Sequence, residues 1–246
     1  MTNRWSIRPH TEEDLRIRDE LAAELGLSST LCLLLVQRGI TSAREVRKFF
    51  KPNLNDLHDP FLMPDMFKAV KRLNKALGNK EKILIYGDYD VDGTTAVSLV
   101  YKFLRPYSST IDFYIPDRYD EGYGVSYKSI DYAVENGISL IITLDCGIKA
   151  IDKVAYANER GIDFIICDHH MPDDELPAAV AVLDAKRTDS QYPYEHLSGC
   201  GVGFKFMQAF AQSNDIPFTH LENLLELTAV SIASDIVPIT GENRIL

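Results

Sequence analysis

The hydrophobic period of the chain changes near residue 82. Ahead of that point, stretches such as EEDLRIRDELAAELG (12–26) and SAREVRKFF (42–50) set apolar residues three and four positions apart, the spacing of one helix face, with Gly26 and Gly39 near the ends as stop signals. The Pro/Asp/Asn-rich connection KPNLNDLHDPFLMPD interrupts them. MFKAVKRLNKALGNK then resumes the helical period, with Met66, Val70, Leu73 and Leu77 on one face and Lys68, Lys71, Arg72 and Lys75 elsewhere, a basic face that is either solvated or meets nucleic acid. From residue 82 the pattern becomes short, nearly continuous apolar runs: Ile83 to Tyr86, Ile111 to Ile115, Leu140 to Leu144, Phe164 to Cys167 and Ala179 to Leu183. Between them lie helical stretches, SYKSIDYAVENG from the N-cap Ser126 to Gly137 and KAIDKVAYANERG ending at Gly161. Strands buried on both faces and alternating with helices predict an α/β fold, a parallel sheet flanked by helices. We place a helical amino-terminal segment at 1–80 and the sheet domain at 81–246.

The bulk numbers narrow the class. At 246 residues with 46% hydrophobic content, the chain can bury one large core or a core with a small accessory unit. No apolar run approaches the roughly 18 to 20 residues of a membrane span, and MTNRWSIRPH lacks the apolar centre of a signal peptide, so a cytoplasmic protein without membrane contact is expected. Cys32, Cys146, Cys167 and Cys200 are scattered in apolar company with no Cys-x-x-Cys pair, and read as reduced core residues. The net charge of −10 is uneven: residues 1–82 hold 15 Lys/Arg against 11 Asp/Glu, whereas residues 83–246 hold 11 against 25. The acidity is either a solvated surface or a charge partly cancelled by bound cations, and the second case leaves room for a polyanionic substrate.

The acidic half opens with GDYDVDG, residues 87–93, which sets Asp88, Asp90 and Asp92 on alternate positions directly after an apolar run. In an extended chain such side chains share a face about 6 to 7 Å apart, and each neighbouring pair repels by roughly 2 to 3 kcal/mol at an effective dielectric near 20. A solvated turn or a helix-capping cluster would explain them locally. In an open parallel sheet, however, ligands bind outside the carboxyl ends of the strands. LIITLDCG ends there in Asp145, FIICDHH in Asp168, His169 and His170, and LENLLELTAVSIASDIVP presents Asp235 before Pro238. Singly, Asp145 and Asp235 could be caps and the histidines an exposed pair. Together they bring several carboxylates and two imidazoles to one edge, which implies a divalent metal site. Oxygen and imidazole donors without thiolate suit Mn²⁺ or Mg²⁺ better than structural zinc, and the ligands suffice for two ions bridged by a shared carboxylate, for which Asp145 is the candidate. Such a pair can activate water for in-line attack on a phosphoryl group.

At these residues the chain resembles the DHH phosphoesterases. YGDYDVDGTTA, IPDRYDEGYGVS, LIITLDCGI, ICDHHMPDDELP and SGCGVGFK, in order over about residues 80–240, are similar to the motifs of their RecJ-like single-strand-specific exonucleases, and RGITSAREVRKFFKPNLNDLHDP is similar to that group's amino-terminal region. The resemblance implies one Mn²⁺ or Mg²⁺ on Asp90 and Asp145, assisted by Asp88, and a second on Asp92, Asp145, His169 and Asp235. It implies that His170 faces the scissile phosphate as acid or charge stabiliser and that Asp168 orients a histidine. Many relatives outside the RecJ-like group carry His four positions before the residue matching Asp90; here Tyr86 stands there, a departure that bears on the first ion. Arg118 is either a surface turn residue or a phosphate contact, and Lys205, one turn into the helix opened by SGCGVGFK, is a candidate second contact; tight packing explains those glycines equally well.

The function implied is metal-dependent hydrolysis of single-stranded DNA from the 5′ end to mononucleotides, in recombination and repair, alongside a single-strand-binding protein or helicase. The alternatives within the same chemistry are an oligoribonuclease, a cyclic-dinucleotide phosphodiesterase or a pyrophosphatase; a non-catalytic DHH scaffold is the alternative outside it. RecJ-like proteins continue into a glycine-rich substrate domain and an oligonucleotide-binding barrel, and neither motif follows PITGENRIL here. The expectation is an amino-terminal portion that binds metal and grips substrate weakly.

Overall fold

The computed structural model describes Ser6 and residues 8–246, which fall into two compact units that divide between residues 56 and 57. In the first unit, α1 (Glu12–Leu25), α2 (Ser29–Val36) and α3 (Ala43–Phe50) close over a small core of Leu21, Cys32, Leu35, Val36, Ala43 and Val46. Reciprocal capping fixes two of the starts: Thr11 with Asp14 at α1, and Ser42 with Glu45 at α3.

The second unit starts earlier than residue 81. Its first helix, α4 (Met66–Gly78), buries Met66, Ala69, Val70, Leu73 and Ala76 against the sheet core. Arg72, expected on the solvated basic face, is instead 8% exposed: its guanidinium bridges Glu81 at 2.7 Å, just before one strand, and Asp163 at 2.6 Å, the first residue of another. Lys68, Lys71 and Lys75 are exposed as the helical period predicts.

Five strands follow, β1 (Lys82–Gly87), β2 (Ile111–Tyr114), β3 (Ile138–Leu144), β4 (Asp163–Cys167) and β5 (Ala181–Leu183), in the order β2-β1-β3-β4-β5 with every pairing parallel. The register sets Ile85 beside Ile142 and Ile142 beside Ile165, so alternate residues of each strand feed opposite cores. Ile83, Ile85, Leu140, Ile142 and Ile165 pack with α4, α5 (Val91–Leu104) and α8 (Gly199–Ser213). Leu84, Tyr86, Ile141, Phe164 and Ile166 pack with α6 (Tyr127–Glu135) and α7 (Ile151–Asn158). Helix α8 is buried from Gly199 to Ala211, which is why its sequence lacks an amphipathic stripe.

The stretch that leads to Pro238 forms two helices, α9 (Thr219–Glu222) and α10 (Leu225–Ser234), leaving Asp235 as the C-cap. Strand β5 begins at Ala181 rather than Ala179. Among the described residues no helix is long and apolar enough to cross a membrane.

Candidate metal centre

The order β2-β1-β3-β4-β5 reverses direction between β1 and β3, so the loops leaving those neighbours diverge and open a crevice at their carboxyl ends. Asp88 follows β1, Asp92 lies in the first turn of α5, Asp145 follows β3, and Asp168, His169 and His170 follow β4.

His169 is the meeting point. Its Nε2 lies 3.1 Å from Asp145 Oδ1, 3.6 Å from Asp235 Oδ2 and 3.7 Å from Asp92 Oδ2. Two sets of donor atoms each fall within 4.8 Å of one another: Asp92, His169 and Asp235, and Asp145, His169 and His170. Asp92 and Asp145 are each 2% exposed and His169 6%. Neither ring nitrogen of His169, nor Asp145 Oδ1, has a hydrogen-bond partner. Leaving a buried polar atom unmade costs about 1–3 kcal/mol, so Nε2 and Asp145 Oδ1, both unpaired and facing each other at 3.1 Å, fit a site that a cation completes.

The scaffold aims these groups at some cost in conformation. Asp145 sits at φ 61°, in the left-handed region that disfavours side chains. Gly199 is required beside it, because a Cβ there would lie 2.5 Å from Asp145 Cβ and 2.6 Å from Oδ1. The Asp92 carboxylate accepts from Gly199 N (2.7 Å), Cys200 N (2.8 Å) and Ser231 Oγ (2.7 Å). The first N–H groups of α8 thus go to Asp92, an anion supplied by the chain itself.

Burial pushes the Asp145 carboxyl up to about 10, reinforced by the charges of Asp92, Asp90 and Asp168. Asp235 and Asp88 are also raised, each chiefly by burial. Crowded carboxylates resist joint ionisation in the absence of a counter-charge, which is what a divalent ion provides. The thiols offer no competing donor, since all four cysteines are buried and free, and burial raises Cys146, Cys167 and Cys200.

Asp168 has a different environment. Burial raises it, but His170 and the backbone donors outweigh burial and hold it below the usual carboxylate range. Oδ2 accepts from Ile148 N at 2.9 Å; Oδ1 accepts from His169 N at 2.7 Å and lies 2.7 Å from His170 Nδ1. That bond is the main cause of the raised His170 pKa.

The remaining expected residues sit farther from His169. Asp90 is exposed and caps α5 through Gly93 N at 3.0 Å, and Asp88 Oδ1 accepts from Gly124 N at 3.3 Å while its Oδ2 has no partner. Neither belongs to the two donor sets. Tyr86 points into the α6/α7 core and donates to Gly124 O at 2.7 Å, supporting the same loop as Asp88. Arg118 is exposed, its guanidinium 5.1 Å from the centre of the Tyr89 ring.

Lys205 is corrected. It is fully buried, with Nζ 2.8 Å from Glu242 Oε1 and 2.7 Å from the His58 carbonyl, so it ties α8 to the end of the chain and has no reach to a phosphate. The motif places it one turn into a helix, and only packing reveals which way it faces.

Sequence reasoning passed over Asp184, although AVAVLDAKR repeats the apolar-run-then-Asp signal of LIITLDCG. It is buried at the end of β5, burial pushes it up to about 7, and its Oδ2 lacks a partner. Its neighbour Lys186 donates to the His169 carbonyl.

Residues 82–232 match the DHH family, N-terminal domain. The chain is 39% identical over 243 residues to the single-stranded-DNA-specific exonuclease RecJ of Bacillus subtilis, covering 99% of this chain and 30% of that protein. Against the RecJ of Escherichia coli it is 35% identical over 238 residues, 92% of this chain and 40% of that one. The chain therefore spans less than half the length of these relatives. Among solved structures, an exonuclease RecJ bound to manganese superposes with a TM-score of 0.67 at 29% identity, over 78% of this chain and 47% of that one. Thermus thermophilus RecJ in complex with Mn²⁺ gives 0.77 at 24% identity, over 98% and 33%, a likeness of fold.

Proposed function

The chain belongs to the DHH family, and on that premise we propose that it carries the metal-dependent phosphodiesterase centre of a single-strand-specific DNA exonuclease. The observation that carries the reading is the convergence of three carboxylates on His169 Nε2 with buried donor atoms left unpaired. The similarity to RecJ proteins, two of them solved with manganese, supports the choice of ion and substrate.

Asp92, Asp145, His169 and Asp235 would hold one Mn²⁺ or Mg²⁺, with Asp145 shared toward a second supported by Asp90 and Asp88. Ions held there supply Lewis acidity, giving a more acidic water and a counter-charge for phosphoryl oxygens. The protein's own groups do the rest. Asp168, an acceptor-only carboxylate, keeps a proton on His170 Nδ1 and favours the imidazolium, which leaves Nε2 to meet the scissile phosphate. Arg118, on the exposed loop after β2, grips a phosphate of the same strand. Cleavage from the 5′ end to mononucleotides, a role in recombination and repair, action beside a single-strand-binding protein or helicase, and a cytoplasmic location complete the proposal.

The test is Mn²⁺-dependent digestion of single-stranded DNA labelled at either end, with duplex DNA and a dinucleotide as comparators. Mononucleotides from the 5′ label on single strands alone are expected, with activity lost in Asp145→Ala and His170→Ala. Preference for the dinucleotide, or cleavage unaffected by both substitutions, would overturn it.

A further inference from the structure

Tyr123 lies in the loop between β2 and α6, outside any periodic pattern, and its two ends behave differently. The residue is 55% exposed, yet its hydroxyl reaches inward to 3.3 Å from the Asp145 carbonyl, 3.1 Å from His170 Nε2 and 3.5 Å from Nδ1. The two rings meet edge to face, with centroids 5.9 Å apart and planes at 85°.

Those distances define where the oxygen sits. An oxygen hydrogen-bonded along the Nε2 axis would be much farther from Nδ1, on the opposite side of the ring. Near-equal distances exclude the Nε2 axis, and an oxygen in the ring plane at such distances would collide with Cε1, so it sits over the ring face and leaves the Nε2 axis open. Nδ1 is committed to Asp168 at 2.7 Å. The imidazole is therefore braced at two points: Asp168 fixes one nitrogen, and the Tyr123 oxygen blocks the rotation that would swing the other away. The brace is itself anchored, because the hydroxyl donates to the backbone carbonyl of the residue that faces His169. A phenol is suited to the place, because its rigid ring meets the imidazole edge to face while its hydroxyl donates to the Asp145 carbonyl.

We propose that Tyr123 is a positioning residue for the reaction, holding the His170 ring against the Asp145 backbone with Nε2 directed at the reacting phosphate. This rests on the function proposed above, in which His170 meets that phosphate. The hydroxyl touches no reacting atom; it acts through His170, as partners behind catalytic and metal-binding imidazoles commonly do, with losses of about 10- to 100-fold when removed.

Tyr123→Phe removes the hydroxyl and keeps the ring. The expected result is a fall in kcat of about tenfold or more with KM within about twofold of the wild-type chain, and an unchanged manganese titration. In the metal-free protein, two-bond ¹⁵N spectra of His170 should change from one resolved ring state to an averaged one. Wild-type kcat, a loss confined to KM, or unaltered His170 ring signals would each overturn the proposal, the second by making Tyr123 a substrate platform. Should the wild-type chain itself fail to hydrolyse phosphodiesters, the functional reading falls separately, and the ring spectra still decide whether the hydroxyl holds His170.

Discussion

Lys205→Met separates a structural from a phosphate-binding role by one measurement. Lys205 Nζ and Glu242 Oε1 are 2.8 Å apart with both side chains fully buried. At an effective dielectric near 20 their attraction is about 6 kcal/mol, much of it offset by the cost of taking two charges out of water. Removing one partner from such a pair costs about 3–5 kcal/mol, because the other charge stays buried. Which end of that range applies depends on what remains. After Lys205→Met, the Glu242 carboxylate still accepts from His58 N at 3.0 Å and from the Tyr192 hydroxyl, so the loss should be near 3 kcal/mol. After Glu242→Leu, the Lys205 ammonium keeps the His58 carbonyl and the Tyr192 ring face but no hydrogen-bonded counter-charge, and burial already lowers its pKa, so the loss should be near 5 kcal/mol. In a unit of this size each kcal/mol moves Tm by about 2–4 °C, giving a drop of roughly 6–12 °C for Lys205→Met. Urea unfolding of both single variants and the double variant gives the assay; the double should lose less than the sum, since neither charge is stranded. A Lys205→Met protein with wild-type Tm and weakened DNA binding would refute the reasoning and restore the phosphate role.

Gly199→Ala places a methyl group 2.5–2.6 Å from the Asp145 side chain, so something must move. Overpacking of this kind costs about 1–3 kcal/mol, and calorimetry should show manganese binding weakened at least tenfold; wild-type affinity would mean that Asp145 is not a ligand. Asp184 titrates near 7 in the folded protein against 3.8 in the unfolded chain, so between those values the folded state binds more protons and stability falls as pH rises. Asp184→Asn removes that dependence. Its stability relative to wild type should rise between pH 4 and 8 by on the order of 2–4 kcal/mol, measured by denaturant unfolding in chelator; a gap that does not vary with pH refutes the raised carboxyl.

Much of this molecule follows from local chemistry. The strand positions come from apolar runs that only a sheet covered on both faces can bury, and the caps at Ser42 and Ser126 come from side chains that satisfy orphan N–H groups within a few residues. The carboxyl ends of parallel strands share one edge, so Asp92, Asp145 and His169 could be assigned to one site before their distances were known. Helical spacing reports which residues share a face: Lys205 lies on a helix enclosed on all sides, which has no solvent face to predict, and Arg72 is drawn inward by Glu81 and Asp163, charges its own helix does not carry.

Tertiary structure alone decided what depends on groups far apart in the chain. Asp92 is held by Gly199, Cys200 and Ser231, over 100 residues away, and nothing near GDYDVDG announces that a helix start will meet it there. The Tyr123 hydroxyl reaches His170 across 47 residues from a loop with no period. Periodicity encodes burial, which each segment carries by itself; direction at a site is set where several segments meet, and so belongs to no one of them.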